Sequence, residues 1–215
     1  GTNFDYNYLQ HRKVDVVSSA LDFILPFEKY KITAGAKVSF TNTRNGINYD
    51  TSDPTLVQDD YFRYKEQIYA LYADYSREYS ERFSMQLGLR MEHTRTTGIS
   101  EAKDTEDKHD YTRLFPTVYL LYSPTDGHAL NFSFSNRISR PSQNMVNPFP
   151  FYQNKYTYAC GREDLKPSYT YNAELGYTLK NNFNVSAYYS YSDDVFFQVV
   201  DLDAETNVTS FLWEN

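Results

Sequence analysis

The sequence predicts an all-β chain, an antiparallel up-and-down meander of about eight or nine strands, on three observations. Tyr and Phe dominate the apolar content, with 22 Tyr and 15 Phe against 3 Met and 1 Trp in 215 residues, and such rings favour a pleated, half-buried surface. Several stretches alternate apolar and polar residues with a period of two, which a helix cannot reproduce. Short turns and long polar loops take turns in joining those stretches.

Residues 1–13 are polar, with Tyr6, Tyr8 and Leu9 interspersed, and read as the end of a loop. The first strand covers residues 14–25, with Val17, Leu21, Phe23 and Leu25 on one face and Ala20 and Asp22 on the other. After a turn at 26–29, the second strand sets Tyr30, Ile32, Ala34, Ala36, Val38 and Phe40 against Lys31, Thr33, Gly35, Lys37, Ser39 and Thr41. A long loop, 42–61, carries Asp50, Asp53, Asp59 and Asp60. The third strand, 62–75, has Tyr69, Leu71, Ala73 and Tyr75 on one face and a mixed face of Glu66, Ile68, Ala70, Tyr72 and Asp74 on the other. Good helix formers between residues 66 and 79 make a helix its rival; the context favours a strand.

The fourth strand alternates most cleanly, with Phe83, Met85, Leu87, Leu89 and Met91 opposing Ser84, Gln86, Gly88, Arg90, Glu92 and Thr94. A charged loop at 96–110 leads to the fifth strand, 111–122. Its Leu114, Pro116, Val118, Leu120 and Tyr122 share a face, while Phe115 and Leu121 lie on the other and leave its facing open. Ser123-Pro124-Thr125-Asp126-Gly127-His128 is a turn, because Pro presets φ and Asp-Gly supplies a tight reversal. The stretch 130–179 then holds the sixth strand, a long aromatic loop at 141–166, and the seventh strand. A short turn at 180–182 precedes the eighth strand, 183–193. An acidic loop at 193–206 carries Asp193, Asp194, Asp201, Asp203 and Glu205, and residues 207–215 read as a ninth strand cut short.

Net charge is −7, which argues against a nucleic-acid partner, since phosphate contacts need clustered Lys and Arg. The single cysteine, Cys160, excludes an internal disulfide and a Cys-based metal site. Mean hydropathy is −0.67 and no long apolar run is present. A membrane β-strand needs neither, because only every second residue must be apolar. The chain starts Gly-Thr and stops inside an apolar-rich run, so it reads as an excised segment.

The expected strands, about 10–14 residues each, are long enough to cross a bilayer at a tilt. Alternating connections put the short turns at one end and the long loops at the other, the layout of an outer-membrane β-barrel with periplasmic turns and extracellular loops. Tyr30, Tyr75, Phe83, Tyr122, Tyr177 and Phe183 beside the short turns form one expected aromatic belt. Phe62, Tyr64, Tyr169, Tyr171, Tyr189 and Tyr191 beside the long loops form the other. A charge facing lipid at mid-membrane costs roughly 2–4 kcal/mol. Lys37, Arg90, Glu92, Arg137 and Glu174 are therefore assigned to the lumen. The fold class is thus a segment of a transmembrane outer-membrane β-barrel, with bilayer lipid as a partner.

Particular residues carry a family resemblance over about residues 14–200. The series Ser135-Asn136-Arg137-Ile138-Ser139-Arg140-Pro141-Ser142, Asn147-Pro148-Phe149, Leu165-Lys166-Pro167-Ser168-Tyr169 and Asn172-Ala173-Glu174-Leu175-Gly176-Tyr177 resembles the barrel domain of TonB-dependent receptors. The similarity is to the branch with a carboxypeptidase-regulatory-like domain before the plug. Tyr64-Lys65-Glu66-Gln67-Ile68-Tyr69-Ala70, Leu87-Gly88-Leu89-Arg90-Met91-Glu92 and Leu114-Phe115-Pro116-Thr117 resemble the same family. Cys160-Gly161-Arg162-Glu163-Asp164 departs from the family's usual Gly-Asn-Pro pattern.

The resemblance implies that residues 1–215 are part of a barrel of roughly 22 strands, with the plug, signal peptide and closing strand elsewhere. It implies active uptake in the bacterial outer membrane driven through TonB. The plug domain, TonB and a possible surface lipoprotein would be the protein partners, and no cofactor or catalysis is implied.

Candidate ligand or plug contacts are Arg90, Glu92, Arg137, Arg140, Phe149, Tyr152 and Tyr156. Guanidinium groups pair bidentately with carboxylate and phosphate. Arg137 and Arg140 could equally pin the Asn147-Pro148-Phe149 loop through its carbonyls, and Arg90 and Glu92 could pair across strands. Phe149, Phe151, Tyr152, Tyr156 and Tyr158 could stack on a ligand or pack between loops. The acidic loops lack EF-hand spacing, and His11, His93, His109 and His128 lack metal-ligand spacing. Two other readings stay open: a small outer-membrane barrel enzyme, with His109 beside Asp110 as its weak candidate, and a soluble carbohydrate-binding β-sandwich.

Overall fold

The computed structural model describes residues 6–51, 60–101, 104–154, 156–180 and 182–215. The elements are β1 (Tyr6–Pro26), β2 (Lys31–Thr51), β3 (Asp60–Ser80), β4 (Phe83–Ser100), β5 (Thr105–Tyr122), β6 (His128–Ser139), α1 (Gln143–Val146), β7 (Phe151–Asn154), β8 (Thr157–Cys160), β9 (Ser168–Leu179), β10 (Phe183–Asp193), β11 (Phe197–Asp203) and β12 (Val208–Glu214). Eight strands form one sheet in the order β1-β2-β3-β4-β5-β6-β9-β10, and every neighbouring pair in it is antiparallel. This is the expected meander. The sequential order rules out a Greek-key sandwich. The outer edges of β1 and β10 do not pair with each other, so the sheet is not a closed eight-stranded barrel.

The first five strands run 18–21 residues, longer than expected. At about 3.4 Å per residue, a 21-residue strand reaches roughly 70 Å, well beyond an apolar band of about 25 Å. Residues 6–13, read as loop, are the polar start of β1, and most of the expected loops 42–61 and 96–110 is strand. The β4–β5 connection shrinks to residues 101–104, so short turns and long loops do not alternate strictly. These extensions are mostly polar and hold only scattered apolar residues, such as Leu9, Ile47 and Ile99, so they lack the alternation that betrays a strand. Asp53, Asp59 and Asn181 lie outside the described residues. The segment around Glu66, for which a helix was the rival, is strand throughout.

Register fixes the two faces. Gly88 stands opposite Asp74 and Thr117, and Glu92 opposite Ala70 and Arg113. Lys37, Arg90 and Glu92 therefore share one face, and Glu174 joins it through Ser133. The other face carries Ala36, Val38 and Phe40 of β2, Leu71 of β3, Leu87 to Met91 of β4 and Leu114 to Tyr122 of β5 at alternate positions. Many of these apolar side chains are exposed, including Leu71, Leu89 and Leu114. The facing of β5 is settled by Phe115, which is buried on the inner face.

Aromatic rings gather on the outward face beside the turns. Phe27 stacks on Tyr30 at 4.5 Å, Tyr30 lies 5.7 Å from Tyr75, and Phe83 lies 6.4 Å from Tyr122. At the other end Tyr171 stacks with Tyr191 at 6.3 Å. Phe62 and Tyr64 do not join this second belt. They share the inner face with Thr43, Asn45 and Gly98, where Phe62 has something to pack against.

The packing partner is a cap built from both remaining loops. The second sheet, β11-β12-β8-β7, joins β11 and β12 after β10 to the long loop between β6 and β9, and β12 pairs with β8 in parallel. Residues 207–215, expected as a ninth meander strand, therefore belong to the cap. The core lies where the cap meets the inner face. Phe62, Val146 and Leu165 are buried together, flanked by Tyr64, Met145, Phe196 and Trp213.

Two glycines make close contacts possible. A Cβ on Gly161 would sit 2.3 Å from the Asn147 carbonyl oxygen and 2.6 Å from that of Met145, backbone atoms that the β8–α1 contact holds in place. Gly35 lies between Asp22 and Tyr72 in register, and the Tyr72 hydroxyl crosses it to donate to Asp22. A Cβ there would meet the Tyr72 ring at 2.5 Å. Gly35→Ala is expected to displace Tyr72 from Asp22 and cost about 1–3 kcal/mol, read as a lower unfolding midpoint of the full-length protein in detergent. Gly98→Ala should be milder, since its Cβ would lie 3.5 Å from Phe62.

Candidate functional site

The inner face carries a charge network where β3 and β4 pass beneath the departing cap. Glu66 and Glu92 point inward from their strands because each sits at an inner-face register position. Arg140 follows the last residue of β6 and precedes Pro141, which cannot donate to a continuing ladder. Its guanidinium swings onto the wall: Nη2 donates to Glu92 Oε2 at 2.6 Å and to Thr94 Oγ1 at 3.1 Å, and Nε lies 3.6 Å from Glu66 Oε2. Arg90 Nε donates to the other Glu92 oxygen at 2.5 Å. The Arg90 guanidinium also lies 5.5 Å from the Tyr72 ring centroid. Glu92 is 7% exposed, so its charge survives burial only because both oxygens are taken by guanidinium groups.

Arg90, Glu92 and Arg140 are thus brought together, and two guanidinium groups balance two carboxylates. Arg140 grips side chains of β3 and β4, not the carbonyls of Asn147-Pro148-Phe149. Arg137 joins no ion pair among the described residues, but it lines one groove of about 450 Å³ with Arg90, Glu92, Tyr72 and Phe115, near where β5 and β6 separate. Their pairing ends at Thr117 and Ser135, next to Pro116, and the Asn136 amide donates to the Leu114 carbonyl at 3.4 Å. Phe149 is buried in the cap, Tyr152 lies 5.4 Å from Tyr158 across β7 and β8, and Tyr156 is exposed. Cys160 Sγ donates to the Pro148 carbonyl at 3.0 Å.

Above the network a rim cavity of about 370 Å³ opens between wall and cap, lined in part by Tyr64, Glu66, Tyr111, Arg113, Arg140 and Leu165. Arg113 lies over the Tyr169 ring at 4.8 Å, and Tyr169 is buried instead of joining the outward belt. Glu66, Thr94 and Tyr111 also meet in this region, and their motifs alone do not mark them as partners. The mixed inward face of Glu66, Ile68, Ala70 and Tyr72 was the available signal, since a carboxylate among apolar neighbours needs a cation.

The arrangement does not assemble an acid–base pair from His109 and Asp110. Adjacent strand residues point to opposite faces. His109 Nε2 lies 2.8 Å from Asp107 on its own face, while Asp110 accepts from Arg95 at 2.7 Å and lies 3.4 Å from His93. Among the described residues, no group of three or more His, Cys, Asp or Glu side chains gathers to hold a metal ion.

The cap's outer hairpin has a titratable turn. Asp203 accepts from the Thr206 hydroxyl at 2.7 Å and from the Glu205 amide at 2.9 Å, and these bonds, the hydroxyl's first, hold its carboxyl below the usual carboxylate range. A depressed folded-state pKa contributes stability above the unfolded value and loses it as pH falls through the folded value. Exchange protection of the Glu205 and Thr206 amides should hold at neutral pH and fall under acid. Asp203→Asn should keep an acceptor and lose that pH dependence.

The model of a family described as "Outer membrane protein beta-barrel family" matches residues 2–215. No curated protein matches the chain by sequence. Among solved structures, the chain is similar to the copper transporter OprC, at 13% identity and a TM-score of 0.73, over 97% of this chain and 34% of that one. It is similar to the ferric yersiniabactin uptake receptor FyuA of Yersinia pestis, at 17% identity and a TM-score of 0.57, over 88% of this chain and 30% of that one. A third is the Serratia marcescens hemophore receptor HasR, solved with its hemophore HasA and heme, at 11% identity and a TM-score of 0.59, over 99% of this chain and 38% of that one. The chain therefore spans about a third of the length of these structures. The match over nearly every residue, with the sequential meander and its outward apolar face, means that the chain belongs to the outer membrane protein beta-barrel family and has its place in the bacterial outer membrane.

Proposed function

We propose that residues 1–215 form part of the barrel wall of a TonB-dependent outer-membrane receptor that imports its ligand with energy from the inner-membrane proton gradient. One observation carries the reading: an eight-stranded meander with two unpaired edges, an apolar outer face and a capped inner face. Strands from elsewhere in the full-length protein would continue the sheet, because an exposed edge is a liability that proteins cover or pair. The copper transport and ferric yersiniabactin uptake named for the similar structures support uptake over catalysis. The motif series around Arg140 and Leu165 supports the branch with a carboxypeptidase-regulatory-like domain.

In this reading the cap is extracellular, and the inner face below it turns toward a plug domain. Bilayer lipid covers the outer face, TonB acts from the periplasm, and a surface lipoprotein is a further partner of the cap. Arg137, the inner groove and the rim cavity are the proposed contacts with ligand or plug. Arg90, Glu92 and Arg140 hold the wall to the cap and orient that surface. The function is tested by deleting the gene for the full-length protein and growing the strain on siderophore iron, cobalamin, glycans or peptides. Growth on one class should fail, return with a restored copy, and depend on TonB. Unaffected growth on every class, or import that persists without TonB, contradicts the proposal.

A further inference from the structure

We propose that the outward face just beyond the long-loop end of the apolar band binds phosphate groups of an outer-leaflet glycolipid, with Arg44, Arg63 and Lys65 at the centre of the site. This rests on the membrane orientation proposed above. Register places Lys13 opposite Arg44, and Arg44 opposite Arg63. Three cations thus stand side by side on adjacent strands spaced about 4.8 Å apart. Lys65 lies two residues further along β3 on the same face, opposite Asn42. Like charges directly opposite one another destabilise a sheet, so the row calls for an anion from outside.

The neighbouring strands continue the pattern. β4 places Arg95 and β5 places Lys108 on this face, so each of the first five strands carries a basic residue shortly beyond the end of its alternating apolar run. Several of these have acidic neighbours: Arg95 with Asp110 at 2.7 Å, Lys108 with Glu106 at 2.9 Å, and Lys13 with Asp15 at 3.8 Å. Arg44, Arg63 and Lys65 make no ion pair among the described residues. Arg63 is half-buried, lies 5.9 Å from the Tyr61 ring centroid, and has its Nε buried without a partner. A chain of net charge −7 therefore concentrates unneutralised positive charge in one outward-facing place.

The position selects the occupant. Phe40 and Tyr69, in edge-to-face contact at 5.9 Å, close the apolar band on β2 and β3. Arg44 and Lys65 lie four residues beyond them, roughly 13 Å along each strand, at headgroup depth and continuous with the lipid-covered surface. Guanidinium forks match phosphate oxygens bidentately. At the opposite end of the same face, β3 carries Arg77, stacked over Tyr79 at 4.6 Å, and no comparable row forms among the described residues. The cluster therefore fits an anionic lipid of the extracellular leaflet.

The test uses the full-length protein in nanodiscs of phosphatidylcholine, with or without diphosphoryl lipid A, and in detergent with inorganic phosphate. Lipid A should raise the melting temperature of the wild type and of Arg77→Gln. The combined Arg44→Gln, Arg63→Gln and Lys65→Gln variant should bind it roughly five-fold more weakly for each charge removed. If that variant does not insert, Arg63→Gln alone and the charge-keeping Arg63→Lys carry the comparison, with Arg63→Lys expected to retain more binding. Equal melting in the two nanodiscs, an equal response of the triple variant, or an inorganic phosphate effect as large as that of lipid A would each overturn the proposal. Orientation is read separately, by labelling Thr206→Cys in a Cys160→Ser background on intact cells with an impermeant maleimide. Labelling without a lipid A effect defeats the lipid site alone, whereas absence of labelling defeats the orientation and the lipid site with it.

Discussion

Arg140→Ala is expected to release the cap from the wall. The substitution leaves Glu66 without a cation and Glu92 with only Arg90, on side chains 17% and 9% exposed. Removing one partner of a buried ion pair strands the other charge in low dielectric, which costs about 3–5 kcal/mol. The lower end applies here, because Arg90 keeps one Glu92 oxygen occupied at 2.5 Å. Because Arg140 begins the long loop, the loss should be local. Hydrogen exchange on the full-length protein should show protection falling across residues 143–165 while β2 to β4 keep theirs. Adding Glu66→Gln and Glu92→Gln should recover part of the loss, since neutral amides tolerate burial better than unpaired carboxylates. Unchanged exchange in the cap would mean that Arg140 does not anchor it.

Phe62→Ala should have the other large effect. Phe62 is 1% exposed and packs with Val146 and Leu165 where wall meets cap. Truncating a fully buried Phe removes its transfer energy and leaves a cavity, at about 3–5 kcal/mol. Limited proteolysis should cut sooner within β7 and β8, and the unfolding midpoint should fall. Leu202→Ala, at a side chain 62% exposed on the outer hairpin, should stay within about 0.5 kcal/mol of wild type. The contrast separates burial from membership of the cap.

The membrane-crossing part of the fold was legible because lipid on one side and a polar lumen on the other force strict alternation. The Phe83-to-Met91 face of β4 and the Asp126-Gly127 turn are examples, and Gly127 takes a φ of +78°. Legibility ended where the bilayer ends. Residues 42–51 and 96–100 are strand yet mostly polar, with Ile47 and Ile99 too isolated to show a period, so nothing in their pattern separates them from loop. The cap was hidden for a different reason. Its parallel pairing of Thr209 with Thr157 joins two loops far apart in sequence, and β7 and β8 are four residues each, too short to show a period. The charge network was half legible. Arg90 and Glu92 were visible as inward neighbours, whereas Arg140 reaches Glu92 across 48 positions and only the folded chain shows it. The outward basic row escaped notice because each strand contributes one or two ordinary surface cations, and register alone aligns them.

The central claim is that these eight strands are an open stretch of a larger wall. Cryo-electron microscopy of the full-length protein in nanodiscs tests it most directly. The expected map keeps the β1-β2-β3-β4-β5-β6-β9-β10 order, with further strands of the same protein hydrogen-bonded to the free edges of β1 and β10 and the cap on the luminal side. A barrel in which β1 pairs with β10, closing on eight strands, would contradict it.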